Sequence, residues 1–469
     1  MALSTFVSAN VERPLAPVTF FPSLHDQCSA TFMGTFVIKS ITSCDDNPFD
    51  RQERISWWDQ HLIAKAKIMV VGAGAIGNET LKNLALLGFR NIFIVDFDTI
   101  STSNLSRTVL FRGEDVGKRK SAIAAERTRE MCVGASPCIE WFDGDLVWDL
   151  GTGVFREMDV VLGCLDNVET RFAVNRQCRL ARRPWIDAGI IELAAAATVY
   201  LPEEMPCYQC GASDEQIKAA RIRYSCDQYK EDLVAVGRVP TVQIAAAISS
   251  ALQVQETVKL ICGERVTSGQ SITFLGRKNE MLLLKYTANP DCQAHMTYPE
   301  VTPTPLGSNA SVREFLEWVS QTDYSGAGAS LDLRGDRTFL LSAPCVSCGT
   351  EIELLQPAFR LYRHEVVCDE CRRSDQPPPA ELPHTQSRQV SVGTFCLAST
   401  EERLLNLRLR DIGVPYLHVL AVNDKNEQYR YYELGGDKEV LFPSWRQTGL
   451  MDHEGTSTSR RRKYGRRKS

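Results

Sequence analysis

A glycine-rich turn in this chain, Gly72-Ala73-Gly74-Ala75-Ile76-Gly77, is followed by two acids, Asp96 and Asp98, and then by two cations, Arg107 and Lys120. Glycines at such a turn let the backbone approach a phosphate at the positive end of a helix, and an acid at the tip of the next strand, here Asp96, can hold ribose hydroxyls. A nicotinamide dinucleotide needs its pyrophosphate cradled mostly by backbone, whereas a triphosphate carries extra negative charge that calls for Arg and Lys. Arg107 and Lys120 supply that charge, which favours a triphosphate over redox chemistry. Farther on, Asp166 follows the apolar run Val160-Val161-Leu162. Its carboxylate suits magnesium, which prefers carboxylate and phosphate oxygens.

Sulfur supplies the other candidates. Sixteen cysteines in 469 residues are too dilute for a disulfide scaffold, and several form C-x-x-C pairs, the arrangement expected of metal sites in a reducing compartment. Cys207 and Cys210, with Cys292 and His295 about eighty residues later, offer four ligands for a closed, structural zinc. Cys345 and Cys348 are separated from Cys368 and Cys371 by nineteen residues, the spacing of a zinc ribbon. Cys226 has no Cys partner at metal spacing and lies near Arg221 and Arg223. Neighbouring cations favour the thiolate, the form that attacks an acyl carbon, so Cys226 is the candidate nucleophile, with Cys262 and Cys396 as rivals.

These residues need a doubly wound α/β scaffold to bring them together. Ile68 to Val71 reads as a buried strand, Leu81, Leu84, Ala85 and Leu87 keep one apolar helical face, Gly88 suits a left-handed cap, and Ile92 to Val95 resumes a strand. A helix is expected over Gly117 to Cys132, a strand near Cys138 to Phe142, another at Val160 to Cys164 and a helix over Arg171 to Arg182. Strands at Pro184 to Gly189 and Ala194 to Leu201 introduce a part that mixes parallel and antiparallel pairing. The run Pro240 to Leu260 is apolar nearly all round, with Pro in its first turn and Gln253, Gln255, Glu256 and Lys259 on one polar side. Such a helix belongs at the centre or at a subunit interface.

Four segments follow: an arm over 1–47, in which Phe32 to Ile41 alternates loosely as a strand would; a nucleotide domain over 48–296; an α+β domain over 309–450 containing the ribbon at 345–371 and a helical stretch over Glu401 to Leu409; and a basic tail over 451–469. Pro and Thr dominate from Thr297 to Ser308, which marks a linker. Hydrophobic residues at 43% and charged residues at 24% describe an ordinary soluble protein, and a net charge of −5 disfavours nucleic-acid binding by the body of the chain. No apolar run approaches the ~20 residues of a membrane span, and the amino terminus lacks a signal peptide's basic and apolar regions, so a cytoplasmic location is expected.

Val95-Asp96-Phe97-Asp98, Ser103-Asn104-Leu105-Ser106-Arg107, Gly117-x-x-Lys120 and Cys164-Leu165-Asp166-Asn167 together resemble the adenylation signature of the ubiquitin-activating, MoeB, ThiF and HesA superfamily. The resemblance covers about half the chain. It implies a Rossmann-like adenylation domain in which Gly72, Gly74, Ala75, Gly77, Asp96, Asp98, Asn104, Arg107, Lys120, Asp166 and Asn167 bind ATP, with Asp96 on ribose, Asn104, Arg107 and Lys120 on phosphates, and Asp166 on magnesium. A segment similar to Asp50-Arg51-Gln52 precedes the first strand in MoeB-like enzymes, where an arginine reaches a phosphate, often across a dimer interface; Arg51 is the counterpart here. The implied partners are a ubiquitin-like modifier, a conjugating enzyme and a second copy of the chain. Cys226 would hold the modifier as a thioester, and the appended domain would recruit the conjugating enzyme or the modifier. The alternative is a MoeB or ThiF type adenylyltransferase of a sulfur carrier, with no thioester. A compact one-chain activator with a ribbon resembles those of bacterial ubiquitin-like conjugation operons, some tied to phage defence.

Overall fold

The computed structural model describes residues 47–134, 136–213, 215–217, 240–322, 328–333, 337–361, 366–373, 390–423, 428–448 and 450. Cys226, the early strand expected at Phe32 to Ile41 and the basic tail lie outside them.

β1 (Lys67–Val71) is apolar along its length, and its side chains alternate between two cores. Ile68 and Val70 join one with Leu81, Leu84, Ile123 and Val254, while Met69 and Val71 join the other with Phe93, Phe155, Val174 and Trp445. A strand buried on both faces is the mark of a sheet covered by helices on both sides. α3 (Ala75–Leu87) follows β1 directly and ends at Gly88, whose φ of 87° is the left-handed cap the sequence predicts. Two short helices, α1 (Asp50–Glu53) and α2 (Gln60–Lys65), precede β1.

With β2 (Asn91–Val95), β3 (Cys138–Phe142), β4 (Val160–Gly163) and β5 (Trp185–Ile191), β1 forms a parallel sheet that β6 (Ala194–Tyr200), β7 (Gln270–Leu275) and β8 (Glu280–Lys285) extend by antiparallel pairing. The order is β3-β2-β1-β4-β5-β6-β7-β8. The order reverses between β1 and β4, so the crevice at their carboxyl ends is where an open α/β sheet takes its ligand. α4 (Lys120–Met131) follows β2, and α5 (Leu146–Asp149), α6 (Thr152–Arg156) and α7 (Val168–Ala181) lie between β3 and β5. The sheet is large and mixed, with a Rossmann-like parallel half and an antiparallel extension.

α8 (Gln243–Ile261) packs against α3, β5 and β6. One expectation fails there: Pro240 stands before the helix rather than in its first turn. On the polar side Gln255 and Lys259 both donate to Glu256, which is buried, as is Gln253. Gln253 donates to the Gly163 and Ile186 carbonyls at 3.0 and 2.7 Å, so a central polar side chain ties helix to sheet.

A second sheet has the order β14-β10-β15-β16-β9, with β9 (Thr302–Thr304), β10 (Ser330–Asp332), β14 (Thr394–Cys396), β15 (Val419–Asn423) and β16 (Tyr429–Leu434). β9 falls inside the stretch read as a linker and pairs with β16; Thr304 and Ser308 are buried. The helical stretch expected over Glu401 to Leu409 shortens to Glu402–Leu405. α9 (Val312–Thr322) covers one face through Val312, Phe315, Leu316 and Val319. A third sheet, β12-β11-β13, is built from β11 (Phe339–Pro344), β12 (Glu351–Pro357) and β13 (Val390–Val392). It carries the C-x-x-C pairs between β10 and β14, which pair with each other.

Candidate nucleotide and metal sites

Gly72 has φ 95°, and a Cβ there would meet the Cys164 carbonyl oxygen at 2.4 Å; at Gly77 it would meet the Gly72 oxygen at 2.0 Å. Both glycines are therefore required by packing between β1, α3 and β4. Gly74 differs: nothing lies within 4 Å of where its Cβ would stand. It caps α3 without a side-chain hydrogen bond and leaves room beside the first turn, the arrangement that favours an anion at a helix N-terminus.

Asp96 sits at the tip of β2. Its Oδ2 accepts from Ala73 N at 2.7 Å and its Oδ1 from Asp98 N at 2.8 Å. Burial pushes the Asp96 carboxyl above its usual range, against the pull of Lys120 and of those two N–H groups. Lys120 opens α4, and its Nζ donates to Asp98 Oδ2 at 2.7 Å. Arg107 is half-buried and donates to the Ser103 carbonyl at 2.6 Å. Asn104 is buried and accepts from Ser101 N at 2.9 Å, so in this geometry it orders the turn that carries Arg107. Asn78 ties that turn's exit to the glycine turn: it donates to Ala73 O and accepts from Leu110 N.

Asp166 follows β4 and is exposed; Asn167 donates to it at 3.2 Å and caps α7 by accepting from Thr170 N at 2.8 Å. The fold brings Gly74, Asp96, Asp98, Lys120 and Asp166 to the carboxyl edge of β1, β2 and β4. Arg51 is not among them. Its helix lies at the far end of α3, where Gln52 donates to the Leu87 carbonyl at 3.2 Å, and thirteen helical residues put that end about 20 Å from the glycine turn. Ala75 is the first residue of α3.

Sequence reasoning passed over Arg171 and Asp187. Arg171 Nε donates to both Asp187 oxygens at 3.0 Å, and its Nη2 donates to the Leu165 carbonyl at 2.6 Å and the Ala188 carbonyl at 3.2 Å. Burial pushes the Asp187 carboxyl up, and Arg171 pulls it back. A cation in the first turn of a helix opposes the macrodipole, and that was the available signal.

Cys207 Sγ lies 3.8 Å from Cys292 Sγ and 3.7 Å from Cys210 Sγ, and Cys210 Sγ lies 3.2 Å from His295 Nε2. Zinc–sulfur bonds of about 2.3 Å give a tetrahedron with edges of roughly 3.8 Å, so the sulfur spacings fit that ion and are far too long for disulfides. Burial and Arg179 lower the His295 pKa, which keeps the imidazole neutral, the form that ligates. In the ribbon all four sulfurs of Cys345, Cys348, Cys368 and Cys371 lie within 4.8 Å of one another. Both donor sets suit zinc.

The family model for ThiF matches residues 49–294. This chain belongs to the ThiF family. Among curated relatives of this ThiF-family chain, SUMO-activating enzyme subunit uba-2 of Caenorhabditis elegans is 42% identical over 159 residues, 33% of this chain and 27% of that protein. Adenylyltransferase and sulfurtransferase MOCS3 of Mus musculus is 36% identical over 151 residues, 32% of each. The matched part thus spans about a third or less of these relatives' length. The solved structure of E. coli MccB with ATP is 23% identical, with a TM-score of 0.44 over 54% of this chain and 75% of that one. Among the described residues, no helix is long and apolar enough to cross a membrane.

Proposed function

We propose that the protein activates the carboxyl terminus of a ubiquitin-like protein by ATP-dependent adenylation, holds it as a thioester on Cys226 and passes it to a conjugating enzyme. The observation that carries the adenylation step is the gathering of Gly74, Asp96, Asp98, Lys120 and Asp166 at one sheet edge within a ThiF-family domain. The identity to a SUMO-activating subunit and the appended ribbon-bearing domain favour protein conjugation.

The chemistry follows from the groups. Asp96 binds the ribose, and the α3 N-terminus, Arg107 and Lys120 hold the phosphates. To do so Lys120 exchanges its contact with Asp98 for one with phosphate. A modifier carboxylate oxygen attacks the α-phosphorus, the bond to the bridging oxygen breaks, and pyrophosphate leaves with that electron pair. Asp166 would hold magnesium, which supplies further charge neutralisation on the phosphates. The Cys226 thiolate then attacks the acyl carbon and AMP departs. Of the rival cysteines, Cys262 stands at the far end of α8, and burial pushes its thiol up, which weakens it as a nucleophile. A second copy of the chain would bring its own Arg51 to this site, because the Arg51 of the same chain is about 20 Å away along α3. The MOCS3 likeness keeps adenylation of a sulfur carrier as the second reading.

The test is covalent loading. The protein is incubated with magnesium ATP and a ubiquitin-like protein, and intact mass is read with and without a thiol reagent. A thiol-sensitive adduct lost in Cys226→Ala, with ATP–pyrophosphate exchange kept, is the expected result. Exchange with no adduct in the wild type would move the reading to the sulfur carrier; an adduct surviving in the variant would move the nucleophile to Cys396 or Cys262. Elemental analysis should find zinc at both Cys-rich clusters.

A further inference from the structure

The carboxylate offered to a cation, Asp166, has a weak hold of its own. It is exposed, and among the described residues the one hydrogen bond given to its side chain is the 3.2 Å bond from the Asn167 amide. Where this carboxylate points is therefore set by the backbone on either side. On the downstream side, Asn167 caps α7. On the upstream side, the Leu165 carbonyl receives the 2.6 Å bond from Arg171 Nη2.

We propose that Arg171 is the positioning residue of this turn: it fixes the Leu165–Asp166 backbone so that the Asp166 carboxylate stays free and aimed for a divalent cation. The inference rests on the proposed nucleotide site and adds to it a residue with no contact to substrate. Three observations support it. Arg171 has only 14% of its side chain exposed and Asp187 13%, so the clamp is held inside the fold. The guanidinium spans three acceptors, the Leu165 and Ala188 carbonyls and the Asp187 carboxylate, which joins the turn after β4 and the middle of β5 to the first turn of α7. Its charge is also taken up by Asp187. An arginine this close to Asp166 would otherwise compete with a cation for that carboxylate, and Asp187 prevents it.

A planar fork does this better than an ammonium, because Arg171 meets the carboxylate through Nε and the two carbonyls through Nη2, whereas the donors of Lys radiate from one atom. Arg171→Lys keeps the charge and loses the geometry. The experiment titrates magnesium against binding of a fluorescent ATP analogue to the full chain, and against exchange activity. Arg171→Lys should raise the magnesium midpoint about tenfold, the usual scale for residues that orient a ligand, with exchange at saturating magnesium recovering most of the wild-type rate. Asp187→Asn, which releases the guanidinium towards Asp166, should raise the midpoint in the same direction. Arg179→Lys is the structural control. Arg179 lies two turns along the same helix and donates to the Leu201 and Glu204 carbonyls. That variant should lower the melting temperature and leave the magnesium midpoint in place.

An unchanged magnesium midpoint in Arg171→Lys would overturn the proposal, and so would an equal shift in Arg179→Lys. If the nucleotide site itself has been misread, the wild type shows no magnesium-dependent binding at all, a result that separates the two failures.

Discussion

The two ends of the large sheet hold the same kinds of residue and use them in opposite ways. At the amino ends of β1 and β4, Lys67, Glu157 and Asp159 meet charges from the second sheet and the segment after it. Lys438 lies 2.7 Å from Glu157 and 3.5 Å from Glu433, Arg156 lies 2.6 Å from Glu433, and Lys67 lies 3.7 Å from Glu157. Lys67, Glu157, Arg156, Lys438 and Glu433 each have an opposite charge within 4 Å, Asp159 accepts from the Lys67 backbone N–H, and Glu433 is buried. At the carboxyl ends, Asp96 is satisfied by backbone N–H groups, Asp166 faces solvent, Arg107 rests on a carbonyl and Lys120 is held by Asp98. Charge alone does not mark a site. Charge whose partners can be exchanged for a ligand's atoms does.

The sharpest way to break this contrast is to remove one cation from each end. Lys120→Ala should lower ATP–pyrophosphate exchange by about 10²–10³-fold, the scale for losing one preorganised electrostatic group, while the melting temperature stays close to wild type. A variant that melted early and still exchanged would erase the distinction. At the other end, Glu157→Gln leaves Lys67 and Lys438 short of a carboxylate, and urea unfolding should show a loss of about 3 kcal/mol with exchange per folded molecule unchanged. The glycine turn offers a finer test. Gly74→Ala meets no atom and should fold normally, yet the added methyl occupies the phosphate approach, so nucleotide affinity should drop about tenfold. Gly77→Ala collides with the Gly72 carbonyl and should instead destabilise the fold.

The smallest expected effect is on acid stability. Burial pushes the Glu157 carboxyl up, but Lys438, then Lys67 and Arg183, hold it below its ordinary 4.5. Its contribution is therefore complete above pH 4.5 and is lost as the pH falls through the folded-state value. Acid unfolding of Glu157→Gln followed by circular dichroism should show a shallower loss below that pH than wild type.

Much of the carboxyl end of the large sheet was legible in the chain because its residues are local. β1, the glycine turn, α3, Gly88 and Asp96 follow one another within thirty positions, and strand and helix periods announce each element. The two Cys-rich clusters were legible from spacing. What stayed hidden depends on distant neighbours. Gln253 reads as one polar residue among four on a helix, and only the Gly163 and Ile186 carbonyls, far away in sequence, explain its burial. β9 is three residues long and contains Pro303, so it carries almost no strand signal and owes its form to β16. Arg171 shows in the chain only as a cation at an unfavourable helix end, until Leu165, Asp187 and Ala188 converge on it. Cys226 lies outside the described residues, so its candidacy rests on sequence position.

Trp445 packs in the core on the β1–β3 side, donates its indole N–H to the Cys138 carbonyl at 2.9 Å and stacks on Phe442, whose ring meets that of Phe93 at 4.9 Å. During synthesis this contact arrives late. When His295 leaves the ribosome every strand of the large sheet has been made, but about 150 further residues must follow before Trp445 emerges, a delay on the order of ten seconds or more at ~5–20 residues per second. For that interval the nascent sheet carries an apolar hollow beside Cys138, open to whatever chaperone or stray chain is nearest.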